Sequence, residues 1–126
     1  MLLDIMYENS DVRVLFEDLN DVRNTKNLMT KEIGSELTRS VKKRYNQISA
    51  FSTFYALQQS GIGKIESLDA DLKGSYSLRL TKNYRLIIKP RSDNTSAESL
   101  KICDTVIIEG VIDYHGKRTK NNWIIP

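Results

Sequence analysis

Residues 73–91, KGSYSLRLTKNYRLIIKPR, hold six Lys or Arg side chains (Lys73, Arg79, Lys82, Arg85, Lys89, Arg91) and no Asp or Glu. The stretch also reads as a β-hairpin. Two runs of strand-favouring residues, 76–80 and 84–89, flank Thr81-Lys82-Asn83, a turn-forming triplet. The length of that loop decides everything that follows, because a slip of one residue moves every side chain to the other face of the sheet.

A two-residue loop at Lys82-Asn83 would mix arginine with apolar residues on both faces. A three-residue loop, with a type I turn and Asn83 in the left-handed region, sorts them. Tyr76, Leu78, Leu80, Tyr84, Leu86 and Ile88 then form one apolar face. Ser75, Ser77, Arg79, Thr81, Arg85, Ile87 and Lys89 form the other, with Arg79 directly opposite Arg85. Like charges in that position destabilise a sheet, so the pair calls for an anion between them or for acids elsewhere in the fold.

The 126 residues are 40% hydrophobic and 28% charged, which predicts a single globular domain over 1–126 with a sizeable core. No apolar run approaches the roughly 20 residues needed to span a bilayer, and residues 1–7 are too short and acidic for a signal peptide, so no membrane partner and a cytoplasmic location are expected. One cysteine, Cys103, excludes an internal disulfide, and with a single histidine no zinc site can be built from Cys and His alone. Neither a metal nor another cofactor is expected.

The net charge of +3 hides an asymmetry. Residues 1–36 carry eight acids and four bases, whereas 37–126 carry fifteen bases and eight acids. The later part is the one suited to a polyanion.

In chain order, residues 2–7 suit a first strand. Ser10 is placed to cap a helix carrying Val12, Leu15, Phe16, Leu19 and Val22 on one stripe. A longer helix is expected from near Asn27 or Thr30 toward Gln59, bearing the basic cluster Arg39, Lys42, Lys43 and Arg44, with Gly61 and Gly63 ending it. An edge strand over 64–68 leads to the hairpin. Residues 91–104, rich in Ser, Asp and Asn, read as a mobile insertion with one capped helical turn at 95–98. Residues 105–115, TVIIEGVIDYH, form a central strand with a bulge at Gly110, and 123–126 fold back as an apolar clip. The class is α+β, with helices covering one face of a mainly antiparallel sheet.

His115 is the only side chain whose unperturbed pKa lies near neutrality. It stands at a strand end, and two-residue periodicity puts Asp113 on its face and Tyr114 opposite. Metal-free cleavage of RNA needs a base for the 2′-hydroxyl, an acid for the 5′-oxygen and cations for the charged phosphorane. Arg79 and Arg85 are candidates for clamping the phosphate, Lys73, Lys82 and Lys89 for adding charge, and His115 with Asp113 for moving protons. Tyr114 could stack on an exposed base. Walker-type glycine loops, HExxH, GxSxG and carboxylate metal clusters are all missing from the sequence.

The run DLKGSYSLRLTKNYRLI (71–87), followed by a hydrophobic strand ending Asp113-Tyr114-His115, resembles the HigB-type toxins of the RelE/ParE superfamily. The likeness covers residues 62–115 best. It implies a RelE-like fold, with an N-terminal strand and two helices on a four- to five-stranded sheet. It further implies the toxin of a type II toxin–antitoxin pair, an endoribonuclease acting on mRNA in the 30S A site, and a helix-turn-helix, HigA-like antitoxin as partner. Carried over by position, Arg85, Asp113, Tyr114 and His115 are the active-site group, supported by Lys73 and Arg79. Many relatives have a histidine where this chain has Glu66, so Glu66 must substitute for it or His115 must act more alone. The alternatives are a ParE-like gyrase inhibitor that acts by binding and an RNA-binding module without catalysis.

Overall fold

A computed structural model describes residues 2–23, 26–114 and 122–126. The chain opens with strand β1 (Asp4–Tyr7), followed by helices α1 (Ser10–Asn20), α2 (Leu28–Ile33), α3 (Ser35–Ser49) and α4 (Phe54–Ser60). Strands β2 (Glu66–Ser67), β3 (Tyr76–Arg79) and β4 (Tyr84–Pro90) come next, then a short helix α5 (Ala97–Lys101), β5 (Thr105–Asp113) and β6 (Trp123–Ile125). The α+β class and the helix-covered, mostly antiparallel sheet are as expected. The sheet has one strand more than anticipated among the described residues, because the C-terminal clip pairs as β6.

The strands run in the order β1-β5-β4-β3-β2, with β6 beside β5. Among the described residues only β1 with β5 is parallel, from Asp4 opposite Thr105 to Tyr7 opposite Ile108. β5 therefore lies centrally, which its continuous apolar character requires. The hairpin pairs Tyr76 with Ile88, Leu78 with Leu86 and Arg79 with Arg85, the register of a three-residue loop. Asn83, however, does not adopt the left-handed conformation. The turn is closed instead by the Leu80 N–H on the Tyr84 carbonyl (2.9 Å) and by the Arg85 side chain, described below.

The helices differ most from expectation. The cap of α1 is Asn9, not Ser10: its side chain accepts from the Val12 N–H at 3.0 Å. Val12, Phe16 and Leu19 are buried, but the helix ends before Val22, which is fully exposed. The single long helix is three. Gly34, at φ 88°, separates α2 from α3, and Thr53 starts α4 by accepting from the Ala56 N–H at 3.1 Å. An apolar spacing of three and four continues through both breaks, so periodicity alone does not register them.

One core joins these layers. Val12, Phe16, Val41, Ile48, Phe54 and Leu57 from the helices meet Leu78, Leu86, Ile88, Val106, Ile108 and Val111 from the sheet. Each such side chain contributes about 1.5–3 kcal/mol by leaving water.

Residues 91–104 are pinned to this core rather than forming a free insertion. Leu100 and Cys103 are buried, and the Phe54 N–H donates to the Cys103 carbonyl at 2.9 Å. The cap of α5 is Ser96, one residue later than the 95–98 pattern placed it.

Candidate functional site: the outer face of the sheet

The strands present a second face, away from the helices. Ile87 and Ile112 are fully buried yet lie outside the helix-side core. Two rows of paired residues cross this face. One runs Glu66, Ser77, Ile87, Gly110, and the other Arg79, Arg85, Ile112, Trp123. Directly paired residues point to the same side of a sheet, so Glu66, Arg79 and Arg85 share this face with Trp123.

Arg79 and Arg85 are opposite one another but unlike. Arg79 is exposed, and its carbonyl accepts from Arg44 Nε at 2.7 Å, tying α3 to the end of β3. Arg85 is only 7% exposed. Its Nη1 donates to the carbonyl oxygens of Thr81, Lys82 and Tyr84 at 3.0, 3.1 and 3.1 Å, so this guanidinium gathers the hairpin turn. All three bonds use Nη1, and a guanidinium has further donors on Nε and Nη2. Burial, and then the neighbouring Arg79, hold its pKa below the ordinary arginine value, while Tyr114 and Glu66 oppose that shift. An arginine stays charged even so, and two charges in this geometry are relieved by an anion.

Tyr114 closes the side of the site. Its N–H donates to the Asn83 carbonyl at 2.5 Å, and its ring lies 5.0 Å from Arg85 Cζ, a cation–π contact. The end of β5 is thus fastened to the turn of the hairpin.

The expected parity of the strand end is reversed by the register. Asp113 pairs with Tyr84, a residue packed against the helix-side core, so it starts from the opposite face to Arg85, while Tyr114 joins the arginines. The Asp113 N–H donates to the Asn122 carbonyl at 2.8 Å. The bulge between the Ile87 and Ile88 pairings supplies the reason, since it inserts Glu109 and resets which residues of β5 face which side. His115 lies outside the described residues.

The lysines do not converge with the arginines. Lys89 pairs with Glu8 at 2.8 Å, so its charge is already met. Lys73 and Lys82 are exposed, the former ahead of β3 and the latter at the hairpin tip. Among the described residues no group of three or more His, Cys, Asp or Glu side chains could hold a metal ion. No helix among them is long and apolar enough to cross a membrane.

Glu109 is a feature that the sequence reading passed over. Its carboxylate accepts a hydrogen bond from the Ser75 hydroxyl, and burial raises its pKa above the ordinary value of 4.5 despite Ser75 and Lys89. A Glu set inside an apolar run beside a bulge glycine was the available signal.

No family model matches the chain, and no curated protein does. A solved YoeB–YefM complex from Staphylococcus aureus is similar at 20% identity over 90% of this chain and 98% of that chain, with a TM-score of 0.50. A heterotetrameric YoeB–YefM toxin–antitoxin complex from the same organism also aligns at 20% identity over 90% and 98%, at a TM-score of 0.49. A YoeB/ParE toxin from Agrobacterium tumefaciens aligns at 14% identity over 90% and 100%, also at 0.49. The first of these likenesses shows that the fold is that of YoeB.

Proposed function

We propose that this chain is the toxin of a type II toxin–antitoxin pair, a cytoplasmic endoribonuclease that cuts messenger RNA on the ribosome. The observation that carries the reading is the placement of Arg79, Arg85, Glu66 and Tyr114 on one face of the sheet. The sequence resemblance and the YoeB fold support it. The HigB-type subgroup rests on the sequence motif alone.

In this reading the scissile phosphate sits between the arginines. Arg85, already anchored through Nη1, and the exposed Arg79 stabilise the charge that grows on the phosphorane. Glu66 takes the 2′-hydroxyl proton, and His115, which lies outside the described residues, is the candidate for returning one to the 5′-oxygen. Asp113 starts from the other face of the sheet and is not counted with them. Tyr114 offers an aromatic edge to a base and keeps Arg85 in place. Lys73 and Lys82 attract the backbone from a distance, and Lys89 contributes less because Glu8 neutralises it. No cofactor is needed. The partner is an antitoxin, as YefM is the partner in the Staphylococcus aureus complex, and a helix-turn-helix protein of the HigA kind is the expected form.

Cell-free translation followed by mapping of message ends tests this. Wild-type protein is expected to cut mRNA only when ribosomes are present. The Arg79→Ala and Glu66→Gln variants, both altered at exposed side chains, should cut roughly 100-fold more slowly. Intact message with the wild type, or supercoiling by gyrase blocked by the same protein, would remove the proposal.

A further inference from the structure

A cavity of about 360 Å³ opens on the outer face, lined by Glu8, Asn9, Glu109, Trp123 and Pro126. It is built by two deviations from a regular sheet. The bulge projects Glu109, and Gly110, at φ 150°, lets β6 pass so closely that a Cβ there would stand 1.9 Å from the Ile125 carbonyl oxygen. β6 in turn delivers the indole of Trp123 to the row that contains Arg79 and Arg85. With neighbouring strands about 4.8 Å apart, Trp123 stands roughly 10 Å across the sheet from Arg85.

We propose that this cavity is a guanine subsite, which holds an unpaired base of the RNA whose phosphate lies between Arg79 and Arg85. It rests on the reading of this face as an RNA surface. The indole supplies a flat platform for stacking, which every base accepts. The carboxylate supplies the choice. Guanine alone presents two adjacent N–H donors, N1–H and the 2-amino group, on its Watson–Crick edge, and a carboxylate accepts such a pair with both oxygens. Adenine, cytosine and uracil each set an acceptor against one of those oxygens.

The surroundings favour this role for Glu109 over Glu8. Glu8 is committed to Lys89 at 2.8 Å. Glu109 takes one hydrogen bond, from the Ser75 hydroxyl, which fixes its orientation and leaves lone pairs on both oxygens. Lys89 also acts on Glu109 and offsets part of the negative charge that would repel a nucleic acid. Burial disfavours the ionised carboxyl, and the two guanine donors would restore it.

The chain has one tryptophan, so its fluorescence reports this cavity directly. Wild-type protein is titrated with each of the four 5′-ribonucleoside monophosphates while Trp123 emission is followed. GMP is expected to quench at concentrations roughly tenfold below those needed for AMP, CMP or UMP, the size of one good two-point contact. In Glu109→Gln, whose amide cannot accept from both donors, that preference should vanish. Equal quenching by all four nucleotides, no quenching, or an unchanged preference in Glu109→Gln each overturns the subsite. So does tighter binding of N-acetylarginine amide than of GMP, which would reassign the cavity to a basic peptide. The ribosome-dependent cleavage assay on the same preparation separates the two proposals. Cleavage without guanine preference removes the subsite alone, whereas guanine preference without cleavage removes the nuclease alone.

Discussion

The two faces of the sheet are made by the same strands and obey different rules. Toward the helices, Leu78, Leu86, Ile88 and Val111 pack as interchangeable apolar volume. On the outer face several polar side chains have a specific partner: Arg85 has three carbonyls and Tyr114, Lys89 has Glu8, and Glu109 has Ser75. The contrast teaches where stability and chemistry are kept apart. A change on the helix face should cost stability and touch chemistry only through unfolding, while a change outside should often do the reverse.

Ranked by cost to stability, the sharpest test is Leu86→Ala. This fully buried side chain should cost about 2–5 kcal/mol in denaturant unfolding. A loss under ~1 kcal/mol would show that the helix face is not the core it is taken for.

Arg85→Ala comes next because this residue belongs to both regimes. Leaving three turn carbonyls without their donor should cost about 1–3 kcal/mol, and cleavage should fall with it. Arg85→Lys should recover part of the stability but little of the cleavage, because an ammonium lacks the planar fork.

Arg79→Ala is the mirror image of Leu86→Ala. Stability should stay within about 0.5 kcal/mol while cleavage drops roughly 100-fold. A large loss of stability would break the comparison.

Glu109→Gln should have the smallest effect on stability, and its sign depends on pH. The folded pKa of Glu109 is raised above 4.5 by burial. Between those two values the native state holds more proton than the unfolded one, so this group's contribution to stability falls as pH rises through the window. Glutamine imitates the protonated form. The variant should therefore match the wild type in acid and gain on it in thermal melts toward neutral pH. A constant difference at all pH values would contradict this.

How much of this was legible in the sequence depends on how local the determining contact is. The hairpin register followed from alternation within 76–88, because only one pairing gathers Leu78, Leu86 and Ile88 on one side. The bulge at Gly110 was likewise marked by residue type, whereas residues 123–126 showed only an apolar clip and not its pairing as β6. The helix breaks were not, since apolar spacing runs on through Gly34 and through 50–53 while the backbone turns. The facing of Asp113 and Tyr114 was beyond sequence altogether. It depends on which residue of β5 meets Arg85, and that is set by the bulge and by pairing with a strand over twenty residues away. Arg85 illustrates the same limit, because its hold on the turn replaces the left-handed Asn83 that the loop residues had promised.

The parallel pairing of β1 with β5 sets an order of assembly. Asp4 meets Thr105 only across most of the described chain, and Tyr114 meets Asn83 across the whole of α5 and β5. The hairpin can form early from local contacts, but the strand that completes the arginine site arrives last. The arginine pair is therefore laid down by a local contact, and its Tyr114 wall by a long-range one that forms more slowly.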